Sequence, residues 1–136
     1  MSAEANKALV RRWFEEIDRL NAEIVDELLA DDYVDHTPLP VPGLAPGREG
    51  VKQVFAMNVV AFTDAYHTID EQVADGDLVL TRLSAGAIHT GEFLGLPPTN
   101  KHVTMSGMVM HRLRDGKIAE HWAVIDALGL LGQLRG

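Results

Sequence analysis

Two ionisable side chains near the end of the chain have the chemistry needed for proton transfer. His121 and Asp126 stand in an otherwise largely apolar segment, MSGMVMHRLRDGKIAEHWAVID, which spans residues 105–126. Imidazole titrates near neutral pH, and a buried carboxylate gains proton affinity, so either group could remove a proton next to a carbonyl. The alternatives are structural, because Asp126 could cap a following helix and His121 could be a hydrogen-bonded core residue.

The same segment predicts the element that carries these two residues. Asp-Gly at 115–116 separates two apolar runs, and this dipeptide favours the type I′ turn of a two-residue hairpin. The resulting register places His111 opposite Glu120, and it puts His121 and Asp126 on opposite faces of one strand. They could share a pocket only if a β-bulge or the strand end resets the alternation.

Both faces of this predicted ribbon are largely apolar. A sheet of this kind is covered on both sides, by helices on one and by another sheet or subunit on the other, so we expect a homodimer. One predicted face carries Met105, Gly107, Val109, Trp122, Val124 and Asp126. The other predicted face carries Met108, Met110, Ala119, His121, Ala123 and Ile125.

The order of elements predicts an α+β fold. Helical periodicity marks three segments in the first half, and strand patterns dominate the second. We therefore expect one domain, residues 1–136, with three helices packed on a curved antiparallel sheet around an internal pocket. The predicted helices are 4–20, 21–30 and 48–62; the predicted extended segments are 33–34, 65–73, 78–89 and the two arms of the hairpin; a short apolar tail covers 127–134.

Composition excludes several classes of function. The chain has no cysteine, which excludes disulfides and thiolate catalysis, and its net charge of −8 argues against nucleic acid and anionic membranes as partners. There is no apolar run long enough for a membrane span and no signal peptide, so we expect a cytoplasmic protein. The six histidines lack metal-ligand spacing and no glycine-rich phosphate loop is present, so we expect no metal and no cofactor.

Further residues could complete a pocket. His36 precedes a proline-rich loop and should lie near the mouth of the cone, unless it only anchors that loop. Asn58 falls on the apolar stripe of the third helix and could donate to a carbonyl or enolate, or be a satisfied core amide. The loops 37–46 and 91–99 are expected to gate the pocket. Apolar side chains that could line it, or serve only as core or interface, are Trp13, Phe14, Phe93, Met105 and Trp122.

Five segments give the chain a resemblance to a known family. They are NKALVRRWFEEI, DELLADDYVDH, PGREGVKQVF, HTGEFLGLPPTNK and RDGKIAEHWAVIDALGLLGQL, and they span nearly the whole sequence. The chain resembles the SnoaL-like polyketide cyclase family, within the nuclear transport factor 2-like superfamily. The resemblance implies an α+β cone, usually a homodimer packed through sheet faces, with a buried hydrophobic pocket and acid–base chemistry without a cofactor. Characterised members close polyketide rings by intramolecular aldol condensation, and related ones isomerise, dehydrate, hydrolyse epoxides, hydroxylate or only bind.

The chain departs from the family at the cyclase pair. The position of the family's catalytic aspartate holds Ala123, and that of its histidine on the preceding strand holds Val109. The resemblance therefore carries over the fold and not that pair. The candidates that this chain offers instead are His36, His121 and Asp126.

The sequence thus predicts a cofactor-independent acid–base enzyme of the cyclase, isomerase or lyase type, acting on a hydrophobic, carbonyl-bearing small molecule such as a polyketide. Asp126 or His121 would remove the proton, and His36 or Asn58 would stabilise the oxyanion or return the proton. Two alternatives remain open: a non-catalytic small-molecule binding protein of the same fold, and a dimeric structural domain with a vestigial pocket.

Overall fold

The computed structural model describes residues 2–136 and has the predicted α+β architecture, with helices packed on one face of a five-stranded sheet. The elements are α1 (Ala3–Asp18), α2 (Ile24–Leu28), β1 (Leu29–Asp35), α3 (Gly47–Ala61), β2 (Phe62–Asp75), β3 (Leu78–His89), β4 (His102–Arg114), β5 (Lys117–Ile125) and α4 (Ala127–Arg135).

The first helix begins and packs as its sequence predicts. The hydroxyl oxygen of Ser2 accepts the backbone N–H of Ala5 at 3.1 Å, which caps the helix. Val10 and Phe14, one turn apart, are buried against the sheet. The face of the sheet that α1 and α2 cover, here called the inner face, therefore carries the core.

The strand order is β1-β5-β4-β3-β2. The pairs from β2 to β5 form the predicted antiparallel meander, whereas β1 pairs with β5 in parallel, which the sequence did not predict. The predicted second helix was too long, because the backbone becomes extended at Leu29 and enters the sheet. Residues 29–35 thus form a full edge strand beside the last strand.

The predicted hairpin register was wrong beyond its first residues. Arg114 lies opposite Lys117 as expected, but the register shifts after Leu113 and Ile118, where Ala119 is the extra residue of a β-bulge. His111 consequently pairs with His121 and not with Glu120.

This one-residue shift also corrects the predicted faces of β5. The inner face carries Val109 and His111 with His121, and the opposite, outer face carries Met110 with Trp122. A one-residue shift in register moves every following side chain to the other face of the strand. The prediction therefore assigned each side chain from Glu120 onward to the wrong face.

The predicted apolar tail is a fourth helix, α4. Its Leu134 is buried, and the side-chain amide of Gln133 accepts the backbone N–H of Thr104 at 2.8 Å and donates to its carbonyl at 2.7 Å. Because β5 ends at Ile125, opposite Gly107, the Gln133 side chain takes the place of a strand partner for Thr104 of β4.

No helix among residues 2–136 is both long enough and apolar enough to cross a membrane.

Candidate active site

A carboxylate and an imidazole meet on the inner face at the end of β1. Asp35 lies opposite His121 in the parallel β1–β5 pair, although 86 residues separate them in the chain. Asp35 Oδ1 is 2.9 Å from His121 Nδ1, and about a quarter of each side chain is exposed. Because Nδ1 is occupied by Asp35, the other ring nitrogen, Nε2, is the one available to a ligand.

The surroundings of Asp35 favour its charged form. Burial raises the pKa of Asp35, but the hydrogen bond from His121, the charge of that ring and two contacts from Thr37 lower it more, so the pKa lies below its ordinary value. The Thr37 backbone N–H donates to Asp35 Oδ1 at 2.9 Å. The Asp35 carboxylate can therefore hold His121 in the tautomer with the proton on Nδ1.

A second histidine, His111, lies directly beside this pair. Its ring centre is 5.3 Å from that of His121, and the residue is fully buried. Burial and the charge of His121 lower the pKa of His111 to about 3, which Asp35 offsets only in part. Its Nδ1 meets no hydrogen-bond partner among residues 2–136. His111 is thus a neutral imidazole with an unused polar atom.

The inner face holds one further pair of the same kind. His67 Nδ1 lies 2.6 Å from Asp18 Oδ1, and the Phe14 ring is 5.1 Å from the His67 ring and 6.0 Å from the His111 ring. Of the residues in these two pairs and His111, the sequence analysis named only His121 as a catalytic candidate and missed Asp35, His111, Asp18 and His67. Their scattered positions carry no local motif, and only the pairing of distant strands brings them together.

The predicted catalytic residue His36 lies on the outer face. Its ring stacks on Trp122 at 4.6 Å, and its Nε2 is 2.9 Å from Glu120 Oε1. Neighbours along a strand point to opposite faces, so Asp35 reaches the inner face and His36 does not. The structure therefore does not bring His36 or Trp122 together with His121.

Asp126 is the N-cap residue of α4. Its Oδ1 accepts the backbone N–H of Gly129 at 2.9 Å, and the residue is exposed. The β-bulge at Ala119 precedes both His121 and Asp126, so it leaves them on opposite faces of β5. Asp126 thus has the capping contact that the sequence allowed, and it lies apart from the His121–Asp35 pair.

The residues predicted to line a pocket lie in different places. Phe14 is part of the buried core between His67 and His111, and Trp13 packs partly buried against that core. Met105 is half-buried on the inner face of β4, opposite Ala85. Asn58 is exposed on α3, so it is not the predicted internal donor in this structure.

Both predicted gating loops adjoin the inner face or its rim. Loop 37–46 begins beside the Asp35 pair, where Thr37 Oγ1 accepts the backbone N–H of Ala123 at 2.8 Å. In the loop 90–101, Phe93 and Leu96 exchange two backbone hydrogen bonds, and the Phe93 ring lies 5.0 Å from the Phe62 ring. The second loop is therefore a small hairpin with an aromatic contact at its base.

A cavity of about 830 Å³ lies on the outer face of the sheet. Neither Asp35 nor His121 lines it. Its apolar lining includes Leu80, Met108, Met110, Trp122 and Val124.

No group of three or more histidine, aspartate or glutamate side chains in residues 2–136 could hold a metal ion.

Comparison with known families and proteins gives consistent matches over most of the chain. The family described as SnoaL-like polyketide cyclase matches residues 8–134. The nogalonic acid methyl ester cyclase of Streptomyces nogalater is 27% identical over 111 residues, which cover 81% of this chain and 82% of that protein.

Solved structures share the whole architecture. IdmH from Streptomyces antibioticus, a candidate polyketide cyclase, superposes with a TM-score of 0.84 at 33% identity, covering 96% of this chain and 99% of that one. TsrD from Streptomyces laurentii superposes with a TM-score of 0.87 at 23% identity, covering 98% and 97% of the two chains, and this likeness shows the fold alone.

Proposed function

We propose, for a chain that belongs to the SnoaL-like polyketide cyclase family, that His121 is the general base of a cofactor-independent cyclisation or isomerisation. The substrate is a hydrophobic, carbonyl-bearing small molecule of the polyketide type. Family membership supports the cyclase or isomerase class, and the acid–base assignment is our inference from the inner face.

The observation that carries the proposal is the contact between Asp35 and His121. A carboxylate bonded to Nδ1 holds the imidazole in one orientation and stabilises the cation that forms when Nε2 takes a proton. Asp35 is then a positioning residue, and His121 is the residue that contacts the substrate.

The proposed step needs no oxidant, metal or nucleotide. His121 Nε2 takes a proton from the carbon next to a carbonyl, and the electron pair of that C–H bond forms an enolate. The enolate carbon attacks a second carbonyl of the same molecule, forming a carbon–carbon bond, and the new alkoxide then takes a proton from the His121 imidazolium, which restores the base. In an isomerisation the proton returns to a different carbon.

We propose that His111 assists the enolate as a neutral hydrogen-bond donor. A neutral imidazole can donate its N–H to an oxygen on which negative charge develops, and a low-dielectric position strengthens that hydrogen bond. His111 is fully buried beside His121 and stays uncharged at neutral pH. This assigns to His111 the role that the sequence had suggested for His36 or Asn58.

Family membership is the support for an apolar ligand of the polyketide type, because the inner-face side chains Phe14, Leu83 and Val109 are buried in the core. The relative from Streptomyces nogalater is named for the cyclisation of nogalonic acid methyl ester, which makes this ester a rational first substrate to test.

The test measures proton removal and ring closure separately. Nogalonic acid methyl ester is incubated with the protein in D2O, and deuterium next to the carbonyls is followed together with any cyclised product. His121→Gln should lower both rates by roughly 10²–10⁴-fold, because a general base contributes about that much. Asp35→Asn should lower kcat with little change in KM, since Asp35 acts through His121.

His102→Gln is the matched control, because His102 is an exposed histidine on β4. It should leave both rates unchanged. Wild-type rates in His121→Gln would overturn the proposal. Saturable binding of the ester without deuterium uptake in the wild-type protein would instead favour a non-catalytic binding protein of the same fold.

A further inference from the structure

The Thr37 side chain continues the contact between β1 and β5 beyond the last paired residues. β1 ends at Asp35, and the backbone N–H of the next residue, His36, donates to the His121 carbonyl at 2.9 Å. Two residues further along β5, the backbone N–H of Ala123 donates to Thr37 Oγ1 at 2.8 Å. The hydroxyl of Thr37 thus takes the place that a main-chain carbonyl of β1 would have in a longer strand.

The backbone of Thr37 is bonded to the carboxylate of the candidate pair. Its N–H donates to Asp35 Oδ1 at 2.9 Å, which is the contact of an Asx turn. The same oxygen, Oδ1, lies 2.9 Å from His121 Nδ1. Thr37 therefore links two points of β5, since it binds Ala123 directly and His121 through Asp35.

The sequence restricts the conformation of Thr37. Pro38 follows it, and a proline ring keeps the preceding residue in an extended conformation. Threonine is also β-branched, which limits the rotation of its side chain about χ1. Both restrictions reduce the freedom that is lost when the hydroxyl binds Ala123 and the backbone N–H binds Asp35.

The orientation of Asp35 decides which nitrogen of His121 carries the proton. A neutral imidazole has a single N–H, and a carboxylate beside Nδ1 keeps the proton there, which leaves Nε2 bare. About a quarter of the Asp35 side chain is exposed, so water competes for its oxygens. A carboxylate without restraint would turn away from the ring for part of the time, and its contact with Thr37 opposes this.

We propose that Thr37 is a positioning residue, whose hydroxyl anchors the Asx turn of Asp35 on β5 and so keeps the proton of His121 on Nδ1. For the reaction the inference rests on the proposed function, because a bare Nε2 is the form that removes a proton. The tautomer is a property of the protein without substrate, so it can be measured whether or not the reaction occurs.

Nitrogen-15 NMR of the histidine rings measures the tautomer in the substrate-free protein. At about pH 8 an imidazole is normally neutral, and His121→Gln identifies the signals of His121. Thr37→Val keeps the shape and removes the hydroxyl, so the Nε2 signal of His121 should shift toward that of a protonated nitrogen. Thr37→Ser retains the hydroxyl and should keep the wild-type spectrum.

Deuterium uptake by nogalonic acid methyl ester in D2O measures the consequence for the reaction. Thr37→Val should lower kcat by roughly 3–10-fold with little change in KM, because the net contribution of one hydrogen bond corresponds to about that factor. Thr37→Ser should restore the wild-type kcat. Thr68→Val replaces an exposed threonine of β2 and should change neither kcat nor the His121 spectrum.

Gln53 on α3 separates this role from the general mobility of loop 37–46. Gln53 Oε1 accepts the backbone N–H of Ala45 at 2.7 Å, and Gln53 Nε2 donates to the Gly43 carbonyl at 3.4 Å, so Gln53 anchors the far end of the loop. Gln53→Met releases that end and leaves the contacts of Thr37 in place. It should therefore keep the wild-type spectrum of His121.

An unchanged His121 spectrum in Thr37→Val would overturn the inference, and so would an unchanged kcat beside an active wild-type protein. A spectral shift in Gln53→Met as large as that in Thr37→Val would also overturn it, because loop mobility would then control the ring. If the wild-type protein takes up no deuterium, the proposed function fails. The shift in Thr37→Val, reversed in Thr37→Ser, would still support the control of the His121 tautomer by Thr37.

Discussion

His111 and His121 are adjacent rings in different surroundings. His121 is bonded to a carboxylate and partly exposed, whereas His111 is fully buried and has a pKa of about 3. Two titratable groups whose environments differ in this way can divide the roles of base and neutral hydrogen-bond donor. The same difference has a measurable effect on stability.

Acidification should destabilise the fold through His111. In the unfolded chain this histidine binds a proton below its ordinary pKa of 6.5, while the folded chain does not bind it until about pH 3. The unfolded state then binds more protons, so stability falls as pH falls between these two values. Between pH 7 and pH 5 the loss should be about 2 kcal/mol, measurable by urea unfolding.

The variant His111→Phe should flatten this pH dependence, because it fills the site without a titratable group. His102→Gln replaces an exposed histidine and should keep the wild-type slope. An unchanged slope in His111→Phe would show that another group causes the acid sensitivity. Above pH 5 carboxylates such as Asp35 stay charged, so they do not contribute to the slope of stability against pH.

The neighbouring residues His36 and Asp35 show what could be predicted at this scale. The sequence analysis selected His36, at the end of a short strand before a proline loop, and the structure pairs the residue before it, Asp35, with His121. The sequence could not show which of two neighbours faces inward, because that depends on the parallel pairing with a strand 86 residues away. No local pattern encodes such a contact.

At the scale of elements, one inserted residue decides the composition of the inner face. Ala119 bulges out of the β4–β5 ladder, and from Glu120 onward each side chain faces the side opposite to the prediction. The Asp-Gly turn, the paired residues Arg114 and Lys117, and the limits of β3 were all predicted from local signals. A bulge depends on the curvature of the whole sheet, so local sequence does not determine it.

The small hairpin of the loop 90–101 contains an unfavourable residue. Leu94 has a φ of +48° and Gly95 one of +81°, so the turn has the positive angles of type I′ at both positions. A bulky side chain is rarely found with such a φ, whereas asparagine is the preferred residue there. Leu94→Asn should therefore stabilise the protein by about 1 kcal/mol, seen as a higher unfolding midpoint.

Leu128→Asn provides the comparison for this variant. Leu128 is an even more exposed leucine, but it lies in α4 with ordinary helical angles, so its replacement should be neutral or slightly destabilising. A lower midpoint for Leu94→Asn would mean that the Leu94 side chain stabilises the hairpin by packing. In that case the small hairpin would depend on a hydrophobic contact of Leu94.

At the scale of the whole molecule, the outer face of the sheet exposes several apolar side chains beside a few polar ones. Met108 is 49% exposed and Val124 78% exposed, and they lie at the cavity that also includes Trp122. Contiguous apolar surface of this kind marks an interaction site. We propose that a second copy of the chain covers it, as the apolar ribbon had suggested.

This predicts a homodimer that a charge on the outer face disrupts. Light scattering at micromolar concentration should give about twice the chain mass of 14.9 kDa. Val124→Glu should shift the protein to the monomer mass, because it would bury an unpaired charge in the interface. Val60→Glu, on a 68% exposed residue of α3, should leave the dimer intact. A monomeric wild-type protein would contradict the prediction.

The parallel pairing of β1 with β5 also has a consequence for how the protein is made. A ribosome releases the chain from its N-terminus, so residues 29–35 emerge long before residues 117–125, which they must meet. Until then β1 has no partner strand, and the hydrogen bond of Asp35 to His121 cannot form. The pair of Asp35 and His121 is thus completed only after β5 has been translated, and a nascent chain that stalls before β5 would leave the edge of β4 open to aggregation.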